Sequence, residues 1–166
     1  ITRRLADHKD FSLLGVVEPA QALHGEIEKL GLQVFENYHT ALRTAGVDAV
    51  ILTSPNDLHD KQIADAVTEG KHVFCEKPLS LSAANARKSV EICRAAGLVL
   101  GVGHERRFEP AILALRDMLN AGTLGTIMHT EMAFSHDKLI GLTSDSWRTT
   151  KAFAPAAGMT QMGIHL

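Results

Sequence analysis

Short apolar runs alternate with apolar residues at helical spacing along most of this chain, and the helical stretches close on glycines. The clearest cycle runs from Ala49-Val50-Ile51-Leu52 through Ile63, Ala64 and Val67 to Gly70, then into a second apolar run, His72-Val73-Phe74-Cys75. Apolar runs this short read as buried strands, whereas residues three and four apart share one face of a helix. A glycine at the end of such a face supplies the left-handed residue that stops it. Repeated strand–helix–strand units predict an α/β fold with a doubly wound parallel sheet.

The same grammar governs the flanking segments. Leu13 to Val17 reads as a strand ending at Glu18, followed by Leu23, Ile27 and Leu30 at helical spacing before Gly31. Gln33 to Phe35 is a brief strand and Thr40 is the expected cap of a short helix. A helix is predicted from about Ser82 through Val90 and Cys93 to Gly97, with a strand at Leu98 to Val102. After Gly103 the pattern changes: Phe108, Ile112, Leu115 and Leu119 make a longer amphipathic helix closing at Gly122, and Ile127 to Phe134 reads as an antiparallel strand. We therefore expect residues 1–121 to form one domain and 122–166 to begin a second, of α+β type.

With 166 residues the chain is long enough for one well-buried domain and part of another. A formal net charge of −2 argues against a polyanion-binding surface, so nucleic acid is not an expected partner. Cys75 and Cys93 fit as small core hydrophobes rather than a disulfide framework, which predicts a reducing compartment, the cytoplasm. No apolar run reaches membrane-span length, and Ile1-Thr2-Arg3-Arg4 lacks the apolar core of a signal peptide. The absence of an initiating methionine sets the expectation that the chain starts inside a domain. His8, His24, His39, His129 and His136 show no metal-ligand spacing, and no metal is assigned.

The chemistry-bearing residues stand at predicted strand ends. In an open α/β sheet, ligands bind beyond the carboxyl ends of the parallel strands. Glu76-Lys77-Pro78 puts a cation there, and the proline fixes φ and removes a backbone donor. The alternative is a solvated surface lysine. Glu18 ends its strand where a dinucleotide fold presents an acid to ribose hydroxyls; the alternative is a local cap on a helix whose first turn contains Pro19. Thr53-Ser54-Pro55-Asn56 offers small polar groups at the end of the strongest strand, and a plain turn accounts for that composition equally well. His104-Glu105 follows another strand and fits either a ligand contact or an ordinary start to the next helix.

Taken in order, Thr53-Ser54-Pro55-Asn56 with His59, Gly70-Lys71-His72-Val73, Glu76-Lys77-Pro78 and Arg106-Arg107-Phe108-Glu109-Pro110 form a pattern that resembles the Gfo/Idh/MocA family of NAD(P)-dependent oxidoreductases. Gly122-Thr123-Leu124-Gly125, Trp147-Arg148 and Gly163-Ile164-His165 extend the resemblance over nearly the whole chain. It implies a partial Rossmann NAD(P)-binding domain followed by the start of a domain with a large, mostly antiparallel sheet for substrate contacts and oligomerisation. By the same resemblance Glu18, Thr53, Ser54, Pro55, Asn56, His59, Glu76, Lys77, Pro78, Arg107, Trp147 and Arg148 lie along the cofactor, with NAD favoured over NADP by the acid at Glu18. Arg106 is expected to point away from its neighbour. The family's opening strand and Gly-x-Gly-x-x-Gly turn are not in this sequence, and the strands beside that central strand are expected to lack a partner, leaving the isolated chain marginal in stability.

The resemblance assigns catalysis to Lys77 and His165, either with His165 as general base and Lys77 assisting or with Lys77 as the main acid or base. Family members commonly carry Asp-x-Gly-x-His where this chain reads Gln161-Met162-Gly163-Ile164-His165. On a helix, positions four apart share a face, so Gln161 could still orient the imidazole by hydrogen bonding, though without the support a carboxylate gives to imidazolium, which makes the histidine a weaker base. The expected activity is hydride transfer between nicotinamide and a hydroxyl-bearing carbon of a sugar or polyol, by a protein that forms homo-oligomers. A cofactor-binding sensor without turnover, or a hydrolase or lyase acting through transient oxidation, are the alternatives.

Overall fold

The computed structural model describes the chain apart from residues 134, 136, 138, 139, 144, 145, 147, 148, 157 and 166 and the side chain of residue 161. Its elements follow the predicted alternation. After α1 (Thr2–Ala6) come β1 (Gly15–Val17), α2 (His24–Glu28), β2 (Gln33–Phe35), α3 (Tyr38–Arg43), β3 (Ala49–Leu52), α4 (His59–Thr68), β4 (His72–Cys75), α5 (Ala83–Ala95) and β5 (Leu100–Val102). α6 (Pro110–Asn120) and α7 (Gly158–Gln161) complete the helices, and short 3-10 turns cover Asn56–Leu58, Glu105–Phe108 and Gly163–His165.

All described strand pairs are parallel, as the crossover pattern requires, but they form two sheets: β1 with β2, and β3-β4-β5 in that order. β1 and β3 do not hydrogen-bond to one another and no described strand joins them, in keeping with the expectation that the strands beside the central one lack their partner. Burial within β4 also departs from a strand covered on both faces. Val73 and Cys75 point into the core while Phe74 is 41% exposed. The cause is one-sided packing, with α4 and α5 against each other and α4 on β4.

Leu42, Leu52, Ile63, Ala66, Val73, Cys75 and Cys93 make the core between these layers. Both cysteines are free and buried, in keeping with their reading as core residues, and burial pushes the Cys75 thiol up to about 12. The helix expected from about Ser82 forms as α5, with Ser82 as its cap, its hydroxyl accepting from Asn85 N. The cap of α3 is Asn37 rather than Thr40: its Oδ1 accepts from the Thr40 backbone N–H at 2.9 Å, so Thr40 is the capped residue in the first turn. The strand expected from Ile127 does not form among the described residues up to Ala133, which have no regular structure; an isolated strand without a paired neighbour has no ladder to hold it. No helix among the described residues is long and apolar enough to cross a membrane.

Candidate functional site

Parallel register brings the carboxyl ends of β3, β4 and β5 side by side. Leu52 pairs with Cys75 and Cys75 with Val102, so the loops beginning at Thr53, Glu76 and Gly103 leave the sheet together. Backbone bonds continue one step beyond, from Glu76 N to Leu52 O at 2.9 Å and from Gly103 N to Cys75 O at 2.8 Å. A carboxylate and an ammonium at the middle strand end are therefore flanked by both neighbouring loops.

Glu76 turns its carboxylate back over its own chain, where Oε2 accepts from Lys77 N at 3.1 Å. The Lys77–Pro78 peptide is cis. Pro78 is buried, and its carbonyl faces His59 Nδ1 at 2.8 Å. His59 Nε2 faces the Ser54 carbonyl at 3.1 Å, and the ring is fully buried. A neutral ring has one N–H to donate, so it bonds one of these carbonyls at a time. This placement corrects the expectation that His59 contacts a cofactor: with no exposed surface, the residue acts as a bracket between the loops after β3 and β4.

The loop after β3 divides by exposure. Thr53 and Pro55 are exposed, while the Ser54 hydroxyl donates to Gln62 Oε1 on α4. Asn56 is buried and its Nδ2 donates to the Phe153 carbonyl at 3.2 Å, which ties this loop to the C-terminal segment. Glu18, on the other sheet, uses Oε1 to accept from Ala20 N at 2.8 Å. This is a contact within the turn and not the helix cap of the alternative reading, since the first helical turn begins at Gln21 with Ala20 as its N-cap and Pro19 lies outside it.

His165 comes to the same strand ends from the far end of the chain. Its side chain is 3% exposed, and Nε2 lies 3.8 Å from Glu105 Oε1. The His104 ring packs against it edge to face, with centroids 5.8 Å apart. Burial holds the imidazole below its ordinary range; the Glu105 carboxylate opposes that shift, and Lys77, His104 and Arg106 add to it. The structure accordingly brings Lys77 and His165, the two predicted catalytic residues, within electrostatic reach.

The two adjacent arginines differ in exposure. Arg107 is exposed, and it is Arg106 whose charge reaches His165, although Arg106 Nη1 also pairs with Glu109 Oε1 at 3.1 Å. The 3-10 turn over Glu105–Phe108 rotates these neighbours differently from the assumed helix start. Trp147 and Arg148 lie outside the described residues. In the sequence Glu105 stands out only as one half of a dipeptide after a strand. No local signal singles out an acid whose partner is sixty positions downstream.

Comparison with known proteins identifies the family and the fold. The model of an oxidoreductase family with an NAD-binding Rossmann fold, GFO_IDH_MocA, matches residues 2–104. Scyllo-inositol 2-dehydrogenase (NAD(+)) of Bacillus subtilis (strain 168) is 35% identical over 98 residues, covering 58% of this chain and 29% of that protein. The crystal structure of scyllo-inositol dehydrogenase from Lactobacillus casei with bound NAD(H) and scyllo-inositol aligns with a TM-score of 0.70 at 27% identity, over 75% of this chain and 38% of that one. A crystal structure from Desulfitobacterium hafniense aligns over 99% of this chain and 48% of its own, with a TM-score of 0.89; at 24% identity it speaks for the fold alone. The chain spans half or less of the length of the curated relatives it matches.

Proposed function

This chain belongs to the Gfo/Idh/MocA oxidoreductases, which have an NAD-binding Rossmann fold, and from that premise we propose that it serves an NAD-dependent dehydrogenase acting on a hydroxyl-bearing carbon of a sugar or polyol. The observation that carries the reading is the convergence of Lys77 and His165, distant in sequence, on neighbouring strand ends. Inositol dehydrogenases and 1,5-anhydro-D-fructose reductase among the relatives support the substrate class.

The residues present fit a nicotinamide nucleotide. A carboxylate at the end of β1 suits ribose hydroxyls, and exposed Thr53 and Pro55 lie at a strand end where backbone can approach a ligand. His165 Nδ1 is buried with no hydrogen-bond partner among the described residues, a polar atom whose lone pair is uncommitted. When bound, the nicotinamide supplies the hydride acceptor or donor. His165 takes the hydroxyl proton in the oxidative direction, and the Lys77 ammonium hydrogen-bonds the reacting oxygen and stabilises charge developing on it. We assign residues 122–166 to the start of a substrate and oligomerisation domain. The carboxylate of Glu18 favours NAD, because it would repel a 2′-phosphate.

The test is NAD(H) fluorescence on the full-length protein, followed by a panel of inositols and sugars read at the nicotinamide absorbance band. Binding with turnover on a polyol supports the reading. Binding without turnover across the panel removes the dehydrogenase assignment, and absence of binding removes the cofactor.

A further inference from the structure

The reading of His165 as a base, on which this inference rests, leaves the imidazole without an acid on its own element. Gln161 closes α7, and His165 belongs to a separate 3-10 turn over Gly163–His165. The backbone changes from a four-residue bond, Met162 N to Gly158 O, to a three-residue one, His165 N to Met162 O. Three residues per turn align His165 with Met162. The Gln161 side chain itself lies outside the described residues.

Charged and titratable groups reach His165 from two other elements. Lys77 does so from the loop after β4, and His104, Glu105 and Arg106 from the turn after β5. Of these Glu105 is the sole anion. The others all penalise a proton on the ring, as does burial, so a base at this position needs a compensating carboxylate.

We propose that Glu105 is the positioning carboxylate of His165, replacing an acid four residues upstream with one from the turn after β5. At 3.8 Å its Oε1 makes a charge contact with Nε2 rather than a hydrogen bond. A carboxylate on that side favours the tautomer with the proton on Nε2. The edge of the His104 ring limits rotation of the imidazole. Glu105 is 65% exposed, so its own substitution leaves the core intact.

The test uses full-length protein with 15N-labelled histidine, in wild type, Glu105→Gln and Glu105→Asp. The wild type should show His165 with its proton on Nε2. Glu105→Gln should lower the His165 titration midpoint by about half a pH unit or more, and mix the tautomers. Glu105→Asp, which keeps the charge, should retain a higher midpoint than Glu105→Gln. Identical midpoints and tautomer ratios in all three proteins would overturn the proposal. The pH–rate profile separates this result from the dehydrogenase reading. An acid limb that moves down with the NMR midpoint supports both, whereas a shifted midpoint with an unmoved limb leaves the pair standing and removes His165 as the base.

Discussion

The carboxylate of Glu76 lies directly against Gly103, where an added Cβ would stand 3.0 Å from its Cδ and from both oxygens. Space for the acid at the end of β4 is therefore provided by a missing side chain at the end of β5. Gly103→Ala shifts the carboxylate by a few tenths of an ångström and loosens its acceptance of the Lys77 N–H. The displaced atoms are the free end of a half-buried side chain, so we expect a stability loss of no more than about 1 kcal/mol. Nicotinamide affinity should weaken at the same time. Melting and NAD titration of the variant check both, and an unchanged affinity would separate Glu76 from the cofactor site.

His59 gives a prediction of a different kind, because its role is to hold two loops rather than to meet a ligand. His59→Ala removes a fully buried ring and leaves the Ser54 and Pro78 carbonyls without it. The expected cost is about 2–4 kcal/mol. Hydrogen exchange should quicken in the segments around both residues. Faster exchange in only one of them would show that the ring bonds that side alone.

The alternation of strands and helices was legible because it depends on local periodicity: every predicted strand up to Val102 appears, and Ser82 caps its helix. What sequence could not give was orientation across long separations. Nothing near Glu105 foretells His165, and nothing near Asn56 foretells the Phe153 carbonyl. The change from α7 to a 3-10 turn at Gly163 has no signal in the spacing either. The reading of Asn56 as a small polar turn residue was correct in type but missed its burial, which follows from a contact nearly a hundred positions away.

Lys77→Ala should leave NAD affinity close to wild type while lowering kcat by about 10²–10³, the usual effect of deleting one group that stabilises a developing oxyanion. Stopped-flow hydride transfer on the full-length protein measures this without interference from product release. A rate equal to wild type would take Lys77 out of the chemistry.

Glu18→Gln separates two roles of one side chain. The amide keeps an acceptor oxygen for Ala20 N, so the turn after β1 should hold and the melting temperature should stay unchanged. The charge is lost, so discrimination between NAD and NADP should narrow, mainly through better NADP binding. An unaltered ratio of the two affinities would show that Glu18 acts only on its own turn.

The burial of His165 makes stability depend on pH in a predictable direction. The native state holds the imidazole below its ordinary value of 6.5, so just below that value the unfolded chain binds more protons. Stability rises with pH in that window. The contribution is therefore complete above 6.5 and lost as pH falls. Comparing melts of wild type and His165→Gln from neutral to acid pH isolates it, because the remaining titrations are common to both. The gap between the two proteins should shrink on acidification, by at most about 1.4 kcal/mol per pH unit. A gap that widens instead would mean that Glu105 outweighs burial and the neighbouring cations, and that the native protein holds His165 protonated.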